Sequence, residues 1–193
     1  KDDAEFRRIL QHIRDGEPGE EILGALNERV VPKSRLADPD SHIVLTATND
    51  AAFRENSRRL MALPGKAKVY AAEVSGKFDT AAFPTDPALT LKVGAKVMLL
   101  KNDADRRCIN GSWGIVTKMR PDGPTVQLED GTEHEVGRTS WENLVYQYDR
   151  STKQITREQV GAYKQLPLRL GWAITIHKSQ GQTFDRVYID LGR

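Results

Sequence analysis

Thr175, His177, Lys178, Ser179 and Gln180 fall within six consecutive positions, each able to donate a hydrogen bond, and Gly181 closes the run without a Cβ. Hydroxyl, imidazole, ammonium and carboxamide donors at this spacing suit a polyanion, and the glycine lets backbone approach it. The chemistry is that of gripping phosphates. By composition alone the same run also fits a polar loop carrying a neutral surface histidine.

The flanking residues say how such a loop is held. Trp172, Ile174 and Ile176 alternate with small or polar residues before it, and Phe184, Val187, Tyr188 and Ile189 resume an apolar run after it. The polar turn is expected between two strands. A second unit of this kind lies upstream, where Ile43-Val44-Leu45-Thr46-Ala47-Thr48-Asn49-Asp50 precedes a helical run with Phe53, Ser57, Leu60 and Met61 on one side. Thr48 or Asn49 can cap that helix, and its remaining free amides offer an anion site. Taken alone, the segment is equally an ordinary capped helix of an α/β unit. Arg54, Arg58 and Arg59 fall on the other side of the helix and are expected to be solvated.

The string Trp172-Ala173-Ile174-Thr175-Ile176-His177-Lys178-Ser179-Gln180-Gly181-Gln182-Thr183-Phe184-Asp185 resembles motif V of superfamily 1 DNA helicases, in the branch that includes RecD and the PIF (petite integration frequency) helicases. The upstream strand, cap and helix are similar to motif IV of the same family. The resemblance implies that both motifs contact a single strand of DNA from the second RecA-like domain, and that motif V couples this grip to the nucleotide. It assigns Thr46, Thr48, Asn49, Thr175, His177, Lys178, Ser179 and Gln180 to single-stranded DNA, and Gln180, Gly181 and Gln182 to ATP coupling. It assigns no catalytic residue and no metal ligand.

Between the motifs the texture changes. Leu89 to Leu100, Ile109 to Val116, Thr125 to Leu128 and Glu133 to Val136 read as short strands separated by an Asn110-Gly111 turn, Pro121-Asp122-Gly123 and Glu129-Asp130-Gly131. A small antiparallel barrel is expected. The phrase from Leu91 to Leu99 also resembles the opening of an SH3-like barrel inserted in the second RecA-like domain of these helicases. Residues 111–149 carry three basic against seven acidic side chains, whereas residues 150–193 carry eight basic against three acidic. The basic surplus therefore travels with the phosphate-competent loop.

At the amino-terminal end, Phe6, Ile9, Leu10 and Ile13 predict a helix from about Asp3 to Arg14, and Ile22, Leu23, Leu26 and Val30 predict a second from Glu20, ended before Pro32. Both stripes read as core. The phrase around them also resembles the entry to the second RecA-like domain. Residues 73–88, with Gly76, Pro84 and Pro87, read as an irregular connector.

Composition bounds the function classes. A 38% hydrophobic, 29% charged chain of 193 residues can bury one sizeable core and a small second one, and its formal charge of +2 does not argue for nucleic acid by itself. The single cysteine, Cys108, excludes an internal disulfide, and His12, His42, His134 and His177 are scattered without metal-ligand spacing. No apolar run is long enough to span a bilayer and no secretory leader is read, so the cytoplasm, with the bacterial nucleoid, or the nucleus is expected. A motor also needs a Gly-x-x-x-x-Gly-Lys-Ser/Thr loop, and neither Gly65-Lys66 nor Gly76-Lys77 supplies it.

These readings combine into an α/β expectation, a RecA-like parallel-sheet domain with an inserted small antiparallel SH3-like barrel. Residues 1–88 begin the RecA-like domain, 89–168 form the barrel, and 169–193 return to the domain before a motif VI beyond Arg193. The function implied is that of the C-terminal portion of an ATP-dependent DNA helicase that translocates on single-stranded DNA, 5′ to 3′ by resemblance. ATP and Mg2+ are expected in the full-length enzyme and not on this chain alone, with an N-terminal RecA-like ATPase domain as its partner. Two alternatives stay open: a non-catalytic single-strand-binding module, and a barrel that takes a peptide on Trp113, Tyr146 and Tyr148.

Overall fold

The structure, a computed structural model, describes residues 4–17, 19–31, 42–102, 110–149 and 153–192. The chain divides into two compact units, Lys1–Pro39 and Asp40–Arg193. In the first, α1 (Ala4–Asp15) and α2 (Glu20–Asn27) are joined by an ion pair between Arg8 and Glu21. Both helices form where apolar periodicity placed them; the expected starting residue Asp3 and the stop at Pro32 lie outside the described residues, as does Cys108. The expected core stripes are corrected: Ile9 and Ile22 are buried, but Phe6, Leu10, Ile13, Leu23 and Val30 are exposed. Two short helices have too little surface to cover one another's apolar faces.

The second unit runs β1 (Ile43–Thr46), α3 (Asn49–Ala62), β2 (Lys68–Ala71), β3 (Glu73–Gly76), β4 (Ala88–Leu91), β5 (Lys96–Leu99), β6 (Trp113–Met119), β7 (Pro124–Leu128), β8 (Glu133–Glu135), β9 (Thr139–Asp149), β10 (Gln154–Gln165), β11 (Leu168–Leu170), β12 (Ala173–Thr175), α4 (Ile176–Ser179) and β13 (Val187–Asp190). The class is mixed α/β, and most of its sheets are antiparallel. In the parallel sheet, β1 lies between β12 and β13. A five-stranded antiparallel sheet has the order β11-β5-β6-β7-β8, with β5 to β8 forming a meander. A long ribbon of β9 and β10 carries β3 on its edge, and β2 pairs with β4.

Burial explains the strand sequences. Val44 and Ala173 pack against Ala52 of α3, while Ile43 and Ile174 pack with Met98 and Trp113 from the antiparallel sheet. With both faces covered, residues 172–175 are all buried, and the expected in-and-out alternation is replaced by continuous burial. The larger core gathers Leu91, Val97, Val116, Val126, Leu166 and Leu168.

Three other expectations are corrected. The inward face of α3 is Ala52, Glu55, Asn56, Arg59 and Leu60, whereas Phe53 and Met61 are 62% and 78% exposed. Arg59 is buried, not solvated, because Glu55 accepts from its Nε at 2.8 Å and neutralises it. The segment read as a connector contains β3, which pairs with β10 because Gly76 and Gly161 let the two backbones come close. Of the aromatic side chains considered for a peptide groove, Trp113 is buried and Tyr146 and Tyr148 are exposed on the ribbon.

Gly171 joins the two sheets at the entrance to β12. Its N–H donates to the Lys96 carbonyl at 2.8 Å, and an added Cβ would lie 2.5 Å from the Trp113 ring. We expect Gly171→Ala to lower stability by about 1–3 kcal/mol through overpacking, read as a shifted urea midpoint. An unchanged midpoint would mean that Trp113 moves aside without cost.

Candidate functional site

Parallel pairing sets the site. Thr46 and Thr175 are register partners at the ends of β1 and β12, so the segments that follow both strands emerge on one edge of the sheet. In open parallel sheets this edge, beyond the carboxyl ends of the strands, is where ligands bind. Of the two candidate caps of α3, Thr48 takes the role, its hydroxyl accepting from the Ala51 N–H at 3.2 Å. Asn49 is thereby left at the start of the helix, where its Oδ1 accepts from Lys178 Nζ at 2.8 Å. Two segments far apart in sequence are joined by that bond into one surface.

The remaining sequence-derived residues sort by depth. Thr46 is buried, and its hydroxyl donates to the Thr48 carbonyl at 3.0 Å, which fixes the turn from strand to helix. Thr175 is buried beneath α4, which is a single helical turn. Ser179 Oγ donates back to the Ile176 carbonyl at 2.7 Å. His177, Lys178, Gln180 and Gly181 are exposed, as are Thr48 and Asn49. Gly181 has φ +78°, and a Cβ added there would meet nothing within 4 Å, so the turn needs glycine for its backbone while the space above it is open. Gln182 turns inward: its Nε2 donates to the Lys178 carbonyl at 3.3 Å and lies 3.7 Å from Met98 Sδ. The loop expected between two strands is thus one helical turn followed by a tight bend.

Sequence reasoning missed Asn56. This buried residue of α3 lies alongside β12, where its Nδ2 donates to the Ala173 carbonyl at 2.8 Å and its Oδ1 accepts from the N–H groups of Trp172 and Ala173 at 3.1 and 2.9 Å. Since β12 is an edge strand, the carboxamide takes the place of a neighbouring strand. The available signal was a carboxamide one helical turn from Ala52 and from Leu60, on the face that packs inward.

Arg169 was missed as well. It donates through Nη2 to the Pro84 carbonyl at 2.8 Å, and burial lowers its pKa. The Lys178 ammonium, on a side chain that is exposed overall, is also held below the ordinary lysine range, first by partial desolvation and then by the positive charge of Arg169. The two cations line a cavity of about 830 Å3 that extends from Asn49 and Thr175 along α3. Such an arrangement favours an anion.

The chain is similar to known proteins along its length. A family model described as "DNA helicase Pif1, 2B domain" matches residues 77–119. The human ATP-dependent DNA helicase PIF1 is 36% identical over 99% of the chain, which spans 29% of that protein. Unliganded Pif1 from Bacteroides sp. aligns with all of the chain at 32% identity and a TM-score of 0.85, the chain spanning 44% of it. Bacteroides Pif1 bound to single-stranded DNA aligns with 98% of the chain at 32% identity and a TM-score of 0.77, with 43% of that protein covered. The chain therefore spans less than half the length of these relatives.

Asn56→Ala should leave two N–H groups and one carbonyl without their partner at a buried edge, lowering stability by about 3 kcal/mol or more in chemical denaturation. Asn56→Asp keeps the acceptor but sets a second acceptor oxygen against the Ala173 carbonyl, so it should lose stability too. A loss below about 1 kcal/mol for the alanine variant would mean that water replaces the carboxamide.

Proposed function

The chain is related to the Pif1 helicases along 99% of its length, and on that premise we propose that it is the second RecA-like domain, with an inserted SH3-like barrel, of an ATP-dependent DNA helicase. In this reading residues 1–88 and 169–193 form the RecA-like body and residues 89–168 the insert. The parallel sheet supports the division, since its strands come from both sides of the proposed insert, and the β5 to β8 meander lies between them. The protein works on DNA in the cytoplasm, at the nucleoid, or in the nucleus.

The observation that carries the proposal is the Lys178 to Asn49 hydrogen bond at the paired ends of β1 and β12. It makes one patch of the two phosphate-competent segments. Thr48, Asn49, His177, Lys178, Ser179 and Gln180 face the single strand, while Thr46 and Thr175 hold the turns beneath them. A change at the nucleotide reaches this patch through Gln180 and Gly181, and through Gln182, which is tied to the Lys178 carbonyl. ATP and Mg2+ belong to the full-length enzyme and its other RecA-like domain. The residues at the β1 to α3 junction, Thr46-Ala47-Thr48-Asn49, include neither glycine nor lysine and do not fit a triphosphate, so no hydrolytic step is assigned to them. Translocation in the 5′ to 3′ sense remains part of the proposal.

The test is fluorescence anisotropy of the chain with oligothymidylate across a salt series. Binding should weaken by about 0.7 log units per phosphate contacted for each log unit of salt. His177→Ala combined with Lys178→Ala should weaken it about tenfold further. Binding that ignores both salt and the double substitution would remove the grip from this patch.

A further inference from the structure

We propose that the cavity beside α3 seats one nucleotide of the gripped strand, its phosphate between Arg169 and Lys178 and its base against Phe53. This rests on the reading of the β1 and β12 edge as a single-strand grip, and it extends that grip to Phe53, one turn into α3, and to Arg169, which lies outside both motifs.

Geometry and charge both point to this occupant. Arg169 and Lys178 line the same cavity, and among the described residues neither makes an ion pair; their hydrogen bonds go to the Pro84 carbonyl and the Asn49 carboxamide oxygen, both neutral. A guanidinium and an ammonium so placed repel each other while retaining donors that those bonds do not occupy. Burial lowers the proton affinity of both, the positive charge of Arg169 adds to it for Lys178, and a bound phosphate would offset these effects. Among the described residues the lining carries one carboxylate, Asp86, which accepts from the Ala88 N–H, against Lys92, Arg169 and Lys178. The charge of the cavity is therefore complementary to a polyanion.

The apolar part of the lining accounts for the base. Phe53 lines the cavity yet is 62% exposed, one helical turn beyond Asn49, which Lys178 touches. An exposed ring adjoining paired cations is the arrangement by which single-strand-binding proteins combine stacking with backbone attraction. The volume of about 830 Å3 falls within the range of about 300–1,000 Å3 typical of small-ligand sites. A ligand face at Phe53 also explains why apolar periodicity placed this residue on the buried side of α3: its apolar character serves a bound base rather than the core.

The experiment compares the whole chain and its variants on two probes, oligothymidylate and an abasic oligomer of equal length. Arg169→Met keeps the aliphatic stem and should weaken binding of both about tenfold, lowering the salt slope by about 0.7. Arg169→Lys should restore that slope. Phe53→Ala should weaken oligothymidylate binding at least about fivefold, leave the salt slope alone, and change binding of the abasic oligomer by less than about twofold. Thermal unfolding by circular dichroism separates folding defects from these effects, and the exposed Phe53 provides a readout independent of Arg169. An Arg169→Met variant with the original salt slope, or an equal Phe53→Ala loss on both probes, overturns the proposal. If the His177 and Lys178 double variant loses affinity while these two do not, the subsite fails and the grip stands. If the unsubstituted chain shows no salt-dependent binding, both fail.

Discussion

The hydrogen bonds that Asn56 makes with β12 are the constraint on which the rest depends. β12 is an edge strand three residues long that pairs on one side with β1, and Asn56 serves its other side. By accepting from two N–H groups and donating to a carbonyl, the carboxamide fixes α3 against the strand, and with it the distance from the start of α3 to the turn after β12. Lys178 reaches Asn49 only because that distance is set. The Thr46 hydroxyl, inside the turn from β1 to α3, fixes the other half of the geometry.

The antiparallel part of the unit serves the same end from the opposite face. Met98 and Trp113 cover Ile43 and Ile174, and Gly171 carries the chain from β11 into β12 with no room for a side chain. These antiparallel strands thus supply the second apolar layer that a buried parallel sheet requires. The acidic balance of residues 111–149, three basic against seven acidic side chains, disfavours phosphate along that stretch.

Sequence made some of this legible and concealed the rest for identifiable reasons. The strand, cap and helix at residues 43–62 could be read because capping chemistry is local, although choosing Thr48 over Asn49 needed the observed bond to Ala51. On α3 periodicity placed Leu60 correctly but misplaced Phe53 and Met61, which are exposed, while Glu55, Asn56 and Arg59 are buried. A carboxamide that replaces a strand and an arginine neutralised by Glu55 are polar solutions to burial, and apolar periodicity cannot register them. The ribbon of β9 and β10 was concealed because much of its length is solvated on both faces, leaving no alternation to read. Arg169 gave no signal, since its meaning comes from the nearness of Lys178.

The most direct measurement of the central claim is hydrogen–deuterium exchange of the chain with and without oligothymidylate. The account predicts slowed exchange at the β1 to α3 junction and through α4 to Gly181, with the β9 and β10 ribbon unchanged. Protection confined to the ribbon or to β6 to β8, with none at these two junctions, would contradict it.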